Sequence, residues 1–176
     1  TLTVGNGADT VGGGAGNDSI KLAESVSSAD VVEFSSVAGT SSDSAEVESS
    51  ASTYGGDTGQ DTITTFTTGV DTIKITATGV VSFVHGTDTD LGTGDASSEG
   101  TTAGDYATTV GLISLDGGTG EATFGEAGDV LVNFASPTTT MTETLFEAAL
   151  QYNLTGTSAA NTITGGDLAD TIAGGA

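Results

Sequence analysis

The feature that most constrains this chain is a nine-residue period at both of its ends. Residues 4–12 read V-G-N-G-A-D-T-V-G and residues 13–21 read G-G-A-G-N-D-S-I-K. The second fits G-G-x-G-x-D-x-U-x, with U apolar, at every position; the first misses only the opening glycine. Residues 156–164 read G-T-S-A-A-N-T-I-T and 165–173 read G-G-D-L-A-D-T-I-A. A fixed short period, in register within each pair, marks a repeat architecture in which each unit buries its apolar residue only against its neighbours. The unit divides into six turn residues and three strand residues. Glycine lets the turn backbone reach φ > 0, the U residue points into the stack, and the Asp stands where turn meets strand.

The middle keeps part of this grammar. In Y-G-G-D-T-G-Q-D-T-I-T-T-F-T-T-G-V-D-T-I-K-I (54–75), Gly59, Asp61 and Ile63 hold the G-x-D-x-U spacing, and Gly69, Asp71 and Ile73 hold it again. Residues 35–53 form a polar, low-complexity segment and 85–105 an acidic Gly/Thr/Ser stretch, both expected as loops. Residues 80–84 and 111–134 read as short strands with a turn at Asp116-Gly117-Gly118. The expected helix spans 142–151, opened by a Thr144…Glu147 capping box, with Phe146, Ala149 and Leu150 on one face. The fold class is therefore all-β, with irregular β inserts and one short helix; for the repeats themselves, a resemblance to a known family implies parallel β-roll or β-helix-like coils. Its parts are a roll segment at 1–34, a polar loop at 35–53, a β-rich region at 54–153 and closing repeats at 154–176, within one continuous module.

Charge narrows the partners. The chain of 176 residues carries 24 Asp and Glu against 2 Lys and Arg, a net charge of −22. Nucleic acid and anionic membrane are excluded as partners on electrostatic grounds. With no cysteine there is neither disulfide nor thiolate metal site, and the apolar runs are too short to cross a membrane. An oxygen-only cage of turn carbonyls and carboxylates suits a hard cation taking six to eight oxygens, so several Ca²⁺ ions are expected, with magnesium as second choice.

The repeats resemble the RTX calcium-binding nonapeptide family. That resemblance implies a parallel β-roll with two nonapeptides per coil and calcium held between successive turns of one edge. On the matching positions, Asp9, Asp18 and Asp170 would be carboxylate ligands, helped by the carbonyls of Gly5, Gly7, Gly14 and Gly16. Asn161 stands where Asp is expected. Residues 59–75, 113–136 and 143–146 are similar to the region that closes such rolls in serralysin-type proteases and some surface-layer proteins. There Thr65 occupies the position of an Asp. Asp61, Asp71, Asp116 and Asp167 complete the candidate ligand set.

Each terminal pair supplies repeats i and i+1 only, so its sites need other loops, flanking sequence or a neighbouring molecule; the last two are favoured. Enzymatic readings are weak. His85 is the one histidine and has no nucleophile to activate. The carboxylate pairs Asp88/Asp90 and Glu121/Glu126 lack an aromatic sugar platform. G-N-G-A-D-T-V-G is followed by no long helix, against a dinucleotide loop. Phe66, Phe83, Phe124, Phe134 and Phe146 are expected in the core, and Lys21 and Lys74 on the surface. The expected function is a non-enzymatic, calcium-binding assembly module of a bacterial surface protein. It would sit outside the cell, exported without a cleavable signal, with copies of itself and a cell-surface polysaccharide as candidate partners. The alternative is a calcium-triggered folding and secretion module of an enzyme or toxin. A flat Thr ladder for ice or carbohydrate is a weaker third reading.

Overall fold

The computed structural model describes residues 1–23, 25–38, 41–42, 61–84, 89–93, 106–113 and 130–175. Strands β1 (Leu2–Val4), β3 (Ser19–Leu22), β6 (Asp61–Thr64), β11 (Val130–Ala135), β10 (Tyr106–Ile113) and β9 (Thr89–Thr93) form one sheet in that order. A second sheet runs β14 (Thr171–Ala173), β12 (Leu150–Gly156), β7 (Thr72–Val80), β4 (Val31–Val37), β2 (Thr10–Val11), and β5 (Ser41–Ser42) pairs with β4. β13 (Thr162–Thr164) pairs with β8 (Ser82–Val84).

The chain visits the two large sheets alternately: β1 then β2, β3 then β4, β6 then β7, β11 then β12. We call each such pass a circuit. Strands of successive circuits are parallel: Leu2 pairs with Ile20, Ile20 with Ile63 and Ile63 with Phe134 on one side. On the other, Val11 pairs with Val32, Val32 with Ile73 and Ile73 with Leu150. The U residues thus stack in columns, as a fixed phase of alternation requires. The first circuit adds 18 residues to its register, Leu2 to Ile20, and so does the last, Leu154 to Ile172. The circuits between are stretched by longer turns: Val11 to Val32 takes 21 and Val32 to Ile73 takes 41.

One core lies inside, made by Ile20, Ile63 and Phe134 of the first sheet and Val32, Phe34, Ile73, Ile75, Leu150 and Tyr152 of the second. Phe134 packs edge-on against both Phe66, at 5.3 Å, and Phe146, at 6.1 Å. The expected core positions Phe66, Phe83, Phe134 and Phe146 are all buried.

Local structure departs from expectation in three places. The helix α1 covers Glu143–Glu147 only, and its N-cap is Thr142, whose hydroxyl accepts the Leu145 N–H at 3.3 Å. Thr144 lies inside the helix, so no capping box starts there. Leu150 is buried by opening β12, not by continuing the helix. The polar segment begins within β4, which runs to Val37 because Phe34 and Ser36 alternate inward. The acidic stretch contains β9, antiparallel to β10. His85, Asp88, Phe124, Glu121, Glu126 and the Asp116 turn lie outside the described residues. No helix among the described residues is long and apolar enough to cross a membrane.

Truncating Ile63, buried at the centre of the first sheet, removes stacking on both neighbouring circuits. Ile63→Ala lowers unfolding free energy by about 2–5 kcal/mol in urea denaturation, whereas Val26→Ser, at a position 72% exposed, stays within about 0.5 kcal/mol.

Candidate functional site

Every repeat acid in the described residues sits at a corner between turn and strand. Asp9, Asp30 and Asp71 precede β2, β4 and β7, and Asp18 and Asp61 precede β3 or open β6. Neighbouring circuits bring them into two columns, one on each edge. The columns are linked through the main chain. Asp30 Oδ1 accepts the Asp9 N–H at 2.9 Å, and Asp71 Oδ1 accepts the Asp30 N–H at 3.1 Å. On the other edge Asp61 Oδ1 accepts the Asp18 N–H at 2.7 Å. The last circuit repeats the step: Asp170 Oδ1 accepts the Tyr152 N–H, 18 residues earlier, at 2.8 Å.

The second oxygen closes the acid's own turn. Asp71 Oδ2 accepts the Thr67 N–H at 2.7 Å, and Asp170 Oδ2 accepts the Gly166 N–H at 2.6 Å. Asn161 does the same for Thr157 through Oδ1, at 3.0 Å, so Asn serves this role as well as Asp. The carboxylate folds back over the residue five positions before it. A Cβ at Gly165 would collide with Asp170, one at Gly156 with Asn161, and one at Gly13 with Asp61 Oδ2 and with Asp18. The opening glycine of the nonapeptide is explained by this contact. Gly7 and Gly16, the equivalent later positions, take φ of 114° and 119°, where other residues are strained.

Among the expected ligands, Asp61 and Asp71 are 0% and 5% exposed, Asp9, Asp18 and Asp170 are half-buried, and Asp167 is exposed at a turn tip. They fall in separate places: Asp9 with Asp71 in one column, Asp18 with Asp61 in the other, Asp170 with Asn161 in the last circuit. Asp30 belongs to the first column and sequence reading missed it. Its Asp30-Val31-Val32 spacing is that of the repeat, but Ser28 replaces the glycine and the register is 21, not 18. The first circuit's edge is closed within the chain: Gly7 N–H donates to Ser28 Oγ at 3.1 Å and Ser25 N–H to Asn6 Oδ1 at 2.8 Å. Turn 25–30 thus lies against the first circuit's turn within the chain.

A cleft of about 280 Å³ opens on the Asp71 edge, lined in part by Ser25, Ser27, Thr65, Thr67, Asp71 and Thr138. Thr65 takes φ 65°, an unusual conformation for a β-branched residue. Its hydroxyl bonds to the Leu22 carbonyl and lies 2.6 Å from the Thr64 carbonyl. Asp71 and the Ser and Thr residues of the lining carry carboxylate and hydroxyl oxygens, the donor types of a hard cation. Among the described residues no three acidic or histidine side chains converge on one point, so a cation here would draw on hydroxyls and main-chain carbonyls.

Lys74, expected as a surface residue, is half-buried and pairs with Glu33 directly across β4 and β7 at 3.1 Å. Thr76 Oγ1 donates to the same carboxylate at 2.8 Å. The Thr76 hydrogen bond, then the Lys74 contact, hold the Glu33 carboxyl below its usual value of 4.5 against partial desolvation. No family model, no curated protein and no solved structure matches the chain.

Two predictions follow from this geometry. Gly13→Ala costs about 1–3 kcal/mol in urea denaturation through its collision with Asp61 and Asp18, while Gly5→Ala, which meets nothing within 4 Å, stays within about 0.5 kcal/mol. Because folding depresses the Glu33 pKa, its stabilisation is present above pH 4.5 and is lost as pH falls through the lower folded value. Glu33→Gln therefore lowers stability by under about 1 kcal/mol at pH 7, and the difference from wild type shrinks in denaturation curves taken towards pH 3.

Proposed function

We propose that this chain is a calcium-binding structural module of an extracellular bacterial surface protein, a parallel β-roll that folds and assembles on binding the ion. The observation that carries the reading is the stacking of Asp9–Asp30–Asp71 and Asp18–Asp61 in neighbouring parallel circuits. Adjacent strands lie about 4.8 Å apart. Two ionised carboxylates at that spacing repel by about 1 kcal/mol in water and about 3 kcal/mol at an effective dielectric of 20. A divalent cation between turns reverses the sign of that interaction. The net charge of −22 extends the same need to the whole molecule. Asp71, with the hydroxyls of Ser25, Thr65 and Thr67, would hold one ion in the cleft. Asp9 and Asp18, with turn carbonyls of Gly5, Gly7, Gly14 and Gly16, would hold others, and Asp167 with Asp170 one more.

Extracellular calcium modules bind at about 10⁻⁴–10⁻³ M. At ten times Kd each site adds about 1.4 kcal/mol to the folded state. Four or five such sites approach the stability of a whole domain. The hydrogen bonds from main-chain amides to these carboxylates favour a second reading, in which the acids are polar caps of the turns and need no ion. The alternative as a folding and secretion module of an enzyme or toxin uses the same sites and differs in what the parent chain carries.

Far-UV circular dichroism and calorimetry during a calcium titration from zero to 10 mM test the reading. The β-signal and the melting temperature rise with calcium, with a midpoint between about 0.1 and 1 mM, and magnesium at equal concentration gives a smaller shift. Spectra and melting curves indifferent to calcium leave the cap-only reading in its place.

A further inference from the structure

Besides the acid columns, the molecule offers the oxygen-lined cleft, a Ser/Thr-rich outer face of the second sheet, exposed Val26 and Val70 on two turns, and an Asn-Gly step in its first turn. The last carries an inference, because its chemistry and its contacts oppose each other. Asn6-Gly7 is the one Asn-Gly step in the sequence; Asn17, Asn133, Asn153 and Asn161 precede other residues. Asparagine before glycine is prone to close on itself. The glycine main-chain nitrogen attacks the side-chain carbonyl carbon, ammonia leaves, and a succinimide ring remains. Water then opens the ring at either carbonyl, giving aspartate or isoaspartate. Glycine suits the second position because no Cβ hinders the approach.

Space does not prevent this reaction here. Gly7 takes φ 114°, and even a Cβ added to it would meet nothing within 4 Å. Asn6 and Gly7 are both exposed, so water reaches them. Hydrogen bonds stand in the way instead. Asn6 Oδ1 accepts the Ser25 N–H at 2.8 Å and the Ser25 hydroxyl at 3.0 Å. The proton that the attacking nitrogen must lose is donated to Ser28 Oγ, at 3.1 Å. Both reacting groups are thus pinned by turn 25–30 of the next circuit. Asn17 is exposed too, but the N–H of the Asp18 that follows it is held by Asp61 Oδ1 at 2.7 Å.

We infer that Asn6 is a self-modification site gated by turn 25–30. It stays an amide while the first two circuits are in contact and deamidates irreversibly when they part. The balance is one water taken up and one ammonia released, with no other reactant. The aspartate product fits the place, since its carboxylate accepts the same Ser25 N–H and hydroxyl, and it adds a negative charge to the edge that holds Asp9 and Asp30. The isoaspartate product moves a methylene from the side chain into the main chain, which shifts Gly7 from Ser28. Parting of the circuits is therefore recorded in the covalent structure. The inference stands on the contact between turns and not on the calcium reading.

The test incubates the whole chain at mildly alkaline pH, folded in millimolar calcium or denatured in guanidinium chloride. Cleavage after Lys21 gives a peptide holding both Asn6 and Asn17, and fragment-ion mass spectrometry assigns the amide-to-acid mass gain to one or the other. Three modest hydrogen bonds lost together predict that Asn6 converts about tenfold or more faster in the denatured chain. Ser25→Ala/Ser28→Ala keeps the Asp9 N–H on Asp30 and raises the folded-state rate several-fold, with circular dichroism and melting as in wild type. Should that variant lose its fold, Ser28→Ala, which frees the Gly7 N–H alone, carries the comparison with a smaller increase. Equal rates in folded and denatured wild type, or a folded variant converting at the wild-type rate, overturn the gate.

Discussion

The structure depends on a carboxylate oxygen accepting a main-chain N–H from the preceding circuit. A parallel stack of short strands satisfies its amides within each strand pair, but the corners, where strand gives way to turn, have no ladder partner. A buried unpaired amide costs about 1–3 kcal/mol. Aspartate at the corner removes that cost twice, once towards the preceding circuit and once within its own turn, as Asp71 does for Asp30 and Thr67. Asparagine can do so through one oxygen, as Asn161 does for Thr157. Where glycine stands five residues earlier, the corner side chain lies over it, as Asp18 does at Gly13, Asn161 at Gly156 and Asp170 at Gly165.

Fold and acid therefore interlock in a way that makes charge part of the architecture. The molecule buries Asp30, Asp61 and Asp71 at positions that repeat from circuit to circuit, and its Lys74 serves Glu33 in the second sheet instead. The columns are held together by geometry and driven apart by charge. Under the calcium reading a cation would resolve that conflict and leave the capping hydrogen bonds in place, so calcium and capping need not be exclusive roles for the same oxygen atoms.

Much of this was legible in the sequence. The D-x-U spacing placed Ile20, Ile63 and Ile73 in the core and put the acids at strand starts, because side-chain alternation leaves no other phase. Parallel strands were what the family resemblance of the nonapeptides implied. What sequence hid was hidden by turn length. Asp30 escaped because twelve residues, not nine, carry the chain from Ile20 to Val32, and Ser28 replaces the glycine that would have marked the turn. The closing of the first edge by Ser25 and Ser28 escaped for the same reason. The helix begins where the sequence placed it, but Thr142 and not Thr144 caps it. The contact between opening glycine and closing acid lies in three dimensions and has no one-dimensional signal beyond the spacing itself.

One circuit breaks the pattern. Val132 pairs with Asp61, and Ala148 stands two residues before Leu150, where Asp71 stands two before Ile73. The fourth circuit thus continues both columns without an acid. Asp71 and Asp170 end up two strand spacings and four residues apart, about 16 Å, beyond the Debye length of about 8 Å at physiological ionic strength. The acid-free circuit separates two acidic ends, and under the calcium reading an ion held beside Asp71 would share no carboxylate with one held beside Asp170.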